Sequence, residues 1–465
     1  MKLVLVAIPL VLWSAAADAA TQTGPTLPSV SSASYLIGSF TGAEDVCSAD
    51  IDSDGDLDVA AAKSNQVYLW ENLDGSGTSW SGRVVGTGSG TVFPIDLDED
   101  GDIDLVSGGK WFENTDGLGE SWASHTIGDS GSSISLADID NDSDSDVVMG
   151  YGYCSWIRWY ENLNGIGTQW ASHQITVPPY QDGAQVSAGD LDGDGDFDIA
   201  LYERDDPIFL VFCWLENTDG EGGSWKTHIL NDYDSYCWDM HTADLDQDSD
   251  LDILAACNSH GILLCENLDG LGGSWAYVDL VTSGYNQAFE VESADFDLDG
   301  DVDVAGAYWS SANNVSWWEN LDGSGAQWLE HPLGVGYSNP NGLDAADIDN
   351  DGGPDLVISS STAVYWIDLY STGIGDADAP VGCWRLQVTP NPSSGSASVS
   401  FEVLETGLVS LSVFDISGRL VQDAGPSEYE PGCHTIQLGG LHPGVYFVRM
   451  QAGEFTATQR FVVVE

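Results

Sequence analysis

The sequence predicts an all-β protein in which a seven-bladed β-propeller precedes a small immunoglobulin-like β-sandwich. Three observations carry that expectation: a nine-residue acidic pattern occurs seven times, a tryptophan-bounded pattern alternates with it, and charge density falls near residue 380. Repeats of ~40–50 residues, each with four short strand candidates and no helical period, are the mark of propeller blades.

The acidic pattern reads D-x-D-x-D-G-D-x-D. It starts at Asp50, Asp96, Asp138, Asp190, Asp244, Asp295 and Asp347, at intervals of 46, 42, 52, 54, 51 and 52 residues. A β-type run follows each copy, from Val59-Ala60-Ala61 to Leu356-Val357-Ile358. The second pattern runs W-E-N-L-D-G-S-G-T-S-W from Trp70 to Trp80, with counterparts at 111–122, 159–170, 214–225, 264–275 and 317–328. A strand-like stretch follows each closing Trp. Cut at that Trp, the chain gives units 34–79, 80–121, 122–169, 170–224, 225–274, 275–327 and 328–371. Each unit places the acidic loop between its second and third strands, and the Asp-Gly turn leads into the next unit.

Each acidic loop brings four or five carboxylates together, and two of them ~4 Å apart repel by ~1 kcal/mol even in water. Seven such loops imply an offsetting cation, and hard oxygen donors at alternate positions suit Ca²⁺. By analogy with other calcium loops, positions 1, 3, 5 and 9 supply side chains, position 7 a carbonyl, and Gly at position 6 the turn. The expected ligands are Asp50, Asp52, Asp54 and Asp58; Asp96, Asp98, Asp100 and Asp104; Asp138, Asp140, Asp142 and Asp146; Asp190, Asp192, Asp194 and Asp198; Asp244, Asp246, Asp248 and Asp252; Asp295, Asp297, Asp299 and Asp303; and Asp347, Asp349, Asp351 and Asp355. Up to seven Ca²⁺ are expected, with weaker binding where Ser143 and Ser249 replace the glycine. An EF-hand is excluded, because position 12 of the first loop is Ala61.

These loops make residues 34–371 resemble the integrin-type FG-GAP, or VCBS, repeats. The resemblance implies a seven-bladed propeller with calcium in its D-x-D-x-D-G-x-x-D loops. Its ligands vary: proteins of this kind include adhesion receptors, fungal lectins and polysaccharide lyases.

A Gly, Asp and Pro linker at 372–382 leads to a segment, 383–465, with alternating apolar runs such as Val409-Ser410-Leu411-Ser412-Val413. Residues 380–465 hold only eight acidic and four basic residues. Thr389-Pro390-Asn391-Pro392, Phe414-Asp415-Ile416-Ser417-Gly418-Arg419, Pro443-Gly444-Val445-Tyr446 and Phe461-Val462-Val463-Val464 make this segment similar to the C-terminal sorting domain of the type IX secretion system. That resemblance implies the type IX export machinery as a partner, with removal of the domain or anchoring at the surface.

Lys2, the apolar run from Leu3 to Leu12 and the small residues to Ala20 read as a cleaved secretory signal at 1–20. No other segment is apolar enough for a transmembrane helix, so the expected product is a monomer that is secreted or held at the cell surface. Seventy-five acidic residues against eleven basic give a net charge of −64, which excludes nucleic acid as a partner. Eight Cys leave the pairing open, with Cys383 and Cys433 the first pair to test.

The loops expected opposite the acidic ones are longest in units four to six and rich in aromatics. Tyr180, Tyr236, Trp238, Tyr285, Tyr308 and Trp309 are the candidate ligand-binding residues, suited to stacking on a sugar or anchoring a protein. Trp111, Trp159, Trp214, Trp317 and Trp366 hold one strand position and are expected between blades. His125, His173, His228 and His331 share a W-x-x-H position and are expected to pack or to hydrogen-bond. No G-x-S-x-G or H-E-x-x-H motif occurs, and no catalytic residue is assigned. The expectation is a non-enzymatic module for a glycan or an extracellular protein. The alternative is a calcium-dependent polysaccharide lyase or other extracellular carbohydrate-active enzyme; it would need a Lys, Arg, His or Tyr base, and Lys226 and Arg204 are among the few cations in the longer blades, with nothing to single them out.

Overall fold

Short β-branched and aromatic runs separated by Asp-Gly turns favour antiparallel hairpins, and among the described residues every regular element is a strand. The computed structural model describes residues 33–151, 157–175, 183–205, 209–231, 236–258, 261–280, 287–309, 315–334 and 337–369. In the C-terminal part it describes 386–389, 396–403, 407–415, 419–423, 425–429, 432–439, 441–442, 444–452 and 455–463. The chain divides into two compact units, 30–372 and a second that contains 373–465.

The larger unit holds seven four-stranded antiparallel sheets. The first runs Asp45–Ala49, Asp58–Lys63, Gln66–Asn72, Trp80–Gly86. The first strands of the seven sheets are Asp45–Ala49, Val92–Ile95, Ser133–Ala137, Gly183–Gly189, Cys237–Ala243, Ala288–Ala294 and Gly342–Ala346. All seven line a central channel, and all neighbouring pairs but the second with the third lie closely against each other, the arrangement of propeller blades. The second strands Asp104–Ser107, Asp146–Gly150, Asp252–Cys257, Asp303–Tyr308 and Asp355–Ser359 are buried along their whole length. Both of their faces are covered by neighbouring blades, so they read as continuous apolar runs. Apolar clusters fill each gap between blades; one joins Ile139, Val148 and Trp159 to Val186, Ile199 and Leu215.

The blade boundaries differ from the sequence reading by one strand. The strand after each closing Trp is the last of its own sheet: Asn72 pairs with Trp80 and Asn114 with Trp122. The Asp-Gly turn is therefore a hairpin within a blade, closed by Leu73 N–H donating to the Ser79 carbonyl at 2.9 Å, and the acidic loop joins strands one and two. A circular repeat can be cut at any point and still yield four strands per unit, so periodicity alone leaves the phase open. The same shift moves the strand Ala33–Ser39 out of the first blade. It pairs with Ala363–Asp368 as the outermost strand of the seventh, with Tyr35 stacked on Trp366 at 4.7 Å. The N-terminal strand thus closes the ring.

Cys237 and Cys257 oppose each other in the fifth blade and form a disulfide, with Cα atoms 4.0 Å apart. Cys47 and Cys265 are buried thiols. Cys383 lies outside the described residues, as does its expected bond to Cys433. In the second unit, a three-stranded sheet (Leu386–Thr389, Ser396–Val403, Gly432–Gly439) and a larger sheet built on Gly407–Asp415, Gly444–Ala452 and Phe455–Val463 contribute to one apolar cluster.

Candidate metal loops, the opposite face and the channel

The seven acidic loops share one backbone path. Position 6 takes a positive φ throughout, from 95° to 100° at Gly55, Gly101, Gly195, Gly300 and Gly352. Ser143 and Ser249 are held there too, at 79°, a conformation that favours glycine. The N–H of position 6 donates to the position 1 carboxylate in every loop, as Gly55 does to Asp50 at 3.2 Å and Ser249 to Asp244 at 3.1 Å. Position 7 N–H likewise donates to position 5, as Asp102 does to Asp100 at 3.0 Å. These bonds fold the loop so that carboxylate oxygens converge. In Asp50, Asp52 and Asp54, in Asp96, Asp98 and Asp100, in Asp190, Asp192 and Asp194, and in Asp244, Asp246 and Asp248, one oxygen from each residue lies within 4.8 Å of the others. In the third loop the converging set is Asp138, Asp140 and Asp146.

Position 9 is buried and anchors the loop. Asp104 accepts from the N–H groups of Leu97 at 3.3 Å and Asn114 at 2.8 Å, and the same pair of bonds recurs at Asp58, Asp146, Asp198, Asp252 and Asp303. Burial pushes these carboxyls up, to about 7 at Asp58, Asp104, Asp198, Asp252 and Asp303, about 8 at Asp146 and about 9 at Asp355. The backbone donors, two at each of the first six and Ile348 N–H at Asp355, pull the other way without restoring the ordinary value. Position 7 packs against the Asp-Gly turn instead. A Cβ on Gly75, Gly117, Gly220 or Gly323 would fall 2.3–2.5 Å from the carboxylate of Asp56, Asp102, Asp196 or Asp301, so the glycine of each Asp-Gly turn makes room for it.

The donor set fits a hard divalent cation. Buried carboxylate oxygens at Asp50, Asp98, Asp140, Asp144, Asp244, Asp250, Asp295 and Asp355 have no hydrogen-bond partner. Six of the seven loops contain at least one such atom, and an unsatisfied buried carboxylate is costly unless a cation completes it.

Other repeated residues hold the ring. Asn114 accepts from Gly119 N–H at 2.9 Å and donates at 2.9 Å to the Ile51 carbonyl of the preceding blade; Asn72, Asn217, Asn267 and Asn320 repeat the bridge. The sequence reading gave this Asn no role, although its place in every W-E-N run was a visible signal. Trp111 is fully buried and donates through Nε1 to Gly167 of the next blade at 2.9 Å. His125, His173, His228 and His331 stack on Trp111, Trp159, Trp214 and Trp317 at 4.1–4.4 Å and pair through Nε2 with Glu113, Glu161, Glu216 and Glu319 at 2.6–2.7 Å. Lys226 is tied to Glu216 at 2.5 Å.

On the face away from the acidic loops, Trp238 and Trp309 are 46% and 57% exposed and flank Phe289 at 5.3 and 5.9 Å. Exposed Tyr236 adjoins them and leads into the disulfide at Cys237. Tyr308 does not belong to this surface: it is fully buried and packs edge-on to Trp318, because strand alternation points it inward when its neighbour Trp309 points out. Tyr180 and Tyr285 lie outside the described residues.

The sequence reading also missed a second set of acids. A channel of about 690 Å³ is lined by first-strand residues of all seven blades, among them Asp45, Asp239, His241, Glu290, Glu292 and Asp344. Asp45 accepts from Val92 N–H at 2.9 Å, Asp239 from Val291 N–H at 3.2 Å, and Asp344 from the Ser48 hydroxyl. Burial raises Asp45 to about 7 and Asp344 to about 6, raises Asp239, and lifts Glu290 and Glu292 well above the usual carboxylate range. The signal was a charged residue alternating through strands otherwise apolar.

The model of the FG-GAP-like repeat matches residues 50–107, 138–201 and 295–358. The model of the secretion system C-terminal sorting domain matches 387–464. No curated protein sequence matches the chain. Among solved structures, the BP39L lectin from Burkholderia pseudomallei is similar at a TM-score of 0.51 and 13% identity, over 73% of this chain and 98% of its own. The extracellular domain of a proposed one component system from B. thetaiotaomicron is similar at a TM-score of 0.45 and 8% identity; the match spans 92% of this chain and 56% of the length of that structure.

Proposed function

From an FG-GAP-repeat propeller that carries a secretion-system C-terminal sorting domain, we propose an exported, calcium-rigidified binding module whose aromatic face engages a glycan or an extracellular protein. The converging carboxylates would hold up to seven Ca²⁺, with positions 1, 3 and 5 as the primary donors and position 9 bracing the cage. Bound calcium would offset the repulsion within each loop and fix the first two strands of each blade. The sorting domain directs export, and no helix among the described residues is long and apolar enough to cross a membrane.

The observation that carries the binding role is the row Trp238, Phe289 and Trp309, set across two blades on the face away from the acidic loops. Two large exposed aromatics beside a third make a platform for a sugar ring or a protein anchor, and the Cys237–Cys257 disulfide restrains it at one edge. One structure of similar fold is a lectin by name, so a glycan array on calcium-loaded protein is the first test. Tyr236→Ala with Trp238→Ala is expected to abolish any binding found there while leaving calcium content unchanged. Full affinity in that double variant would overturn the assignment.

A further inference from the structure

The central channel carries a ligand site of its own. Its acidic groups are not spread round the ring: Asp239 belongs to blade five, Glu290 and Glu292 to blade six, Asp344 to blade seven and Asp45 to blade one. Those four blades are contiguous, whereas blades two, three and four present Pro94, Ser135, Ser187 and other uncharged groups. No Lys or Arg is among the described residues lining the cavity. Asp45, Asp239 and Asp344 each give one oxygen to a donor of the next blade's strand; Asp45 also accepts from Val46 N–H at 2.8 Å, and Asp239 and Glu290 hydrogen-bond each other. Among the described residues, Glu292 accepts only from the N–H of Ser293, at 3.4 Å, and the His241 imidazole, enclosed within the channel, makes no hydrogen bond. A wall of buried acids facing an open cavity, with no described Lys or Arg beside it, favours a cationic guest, whose charge would hold the acids ionised.

The shape selects the cation. A volume of about 690 Å³ lies in the range of organic-ligand pockets, while a lone metal ion needs its donors converged at ~2.3–2.6 Å. Strands of four to seven residues make the channel roughly 13–23 Å deep. Trp238 lines the cavity and is exposed at its mouth beside Phe289, so a cation entering there passes an aromatic face that attracts it.

We propose that the channel binds a linear aliphatic amine, with primary ammonium groups seated among Asp239, Glu290 and Glu292. The amine is supplied either as a free di- or polyamine or as the lysine side chain of a peptide. Either source places NH₃⁺ groups on an unbranched apolar stem, which matches acids within and aromatic rings at the rim. This goes beyond the reading of the outer aromatic face and does not depend on its ligand.

Calorimetry on full-length protein, in saturating calcium and near-physiological salt, tests it with spermidine, with a short lysine-containing peptide, and with 1,5-pentanediol as uncharged control. The expected result is saturable one-to-one uptake of spermidine or of the peptide, the one that binds naming the source, and none of the diol. Glu290→Gln with Glu292→Gln is expected to weaken it about tenfold or more. Glu120→Gln with Glu221→Gln, which removes equal charge from exposed turns, is expected to leave it unchanged. His241→Lys, which brings an ammonium into the channel, is a second variant expected to abolish uptake. Absence of single-site binding, equal weakening by the exposed-turn pair, or loss of one calcium in the channel variants would overturn the proposal.

Discussion

Two populations of carboxylates occupy this propeller, and they obey different rules. The loop acids recur in all seven blades with the same spacing, the same turn and the same backbone donors. The channel acids occupy four contiguous blades, and each is placed differently. What repeats in every blade serves the ring, since an interaction needed at each junction must be present at each junction. What breaks the repeat is free to recognise something that lacks sevenfold symmetry. The aromatic row at Trp238, Phe289 and Trp309 breaks the repeat in the same sector, at blades five and six.

The sharpest break of this comparison removes one acid from each population. Asp104→Asn keeps one acceptor oxygen but turns an NH₂ donor toward the other of the two backbone N–H groups, Leu97 or Asn114, leaving it unpaired, and is expected to cost ~1–3 kcal/mol of stability in denaturant unfolding. Glu292→Gln, which changes an acid facing the open channel at nearly constant size, is expected to leave the midpoint unchanged. Equal losses in the two variants would erase the distinction. Asn114→Ala, which cuts a bridge between blades, falls in the first class, with an expected loss of similar size.

A pH series sharpens the loop side. Position 9 acids such as Asp58, Asp104 and Asp252 titrate near 7 in the folded chain but near 4 when unfolded. The folded state binds more protons across that window, so chelated protein is expected to lose stability as pH rises from 4 through 7. Calcium should remove most of that slope, because it stabilises the ionised form. Melting curves at pH 5 and pH 8, with and without chelator, read the effect; a chelated protein more stable at pH 8 would contradict it. The smallest expected change is Ser143→Gly, which relieves a positive φ of 79° and should add ~0.5–1 kcal/mol.

The sequence disclosed the number of blades, the acidic loops and the burial of Trp111 and its counterparts, because each depends on spacing repeated along the chain. It left the blade phase ambiguous, since a ring has no natural starting point, and only the pairing of Asn72 with Trp80 places the cut. Tyr308 and Trp309 were grouped together because composition does not tell which of two neighbours faces inward. The channel acids went unnoticed because Asp45, Asp239, Glu290, Glu292 and Asp344 are far apart in the chain, and only closure of the ring brings them to one cavity.

The central claim is that the acidic loops are metal cages on which the folded ring depends. Thermal unfolding of the calcium-loaded and the fully chelated protein at neutral pH measures it directly. Each site filled at a hundredfold excess over its Kd adds ~2.7 kcal/mol, so chelation is expected to lower Tm by about 10 °C or more, with recovery on calcium addition. Identical melting curves in calcium and in chelator would contradict the account.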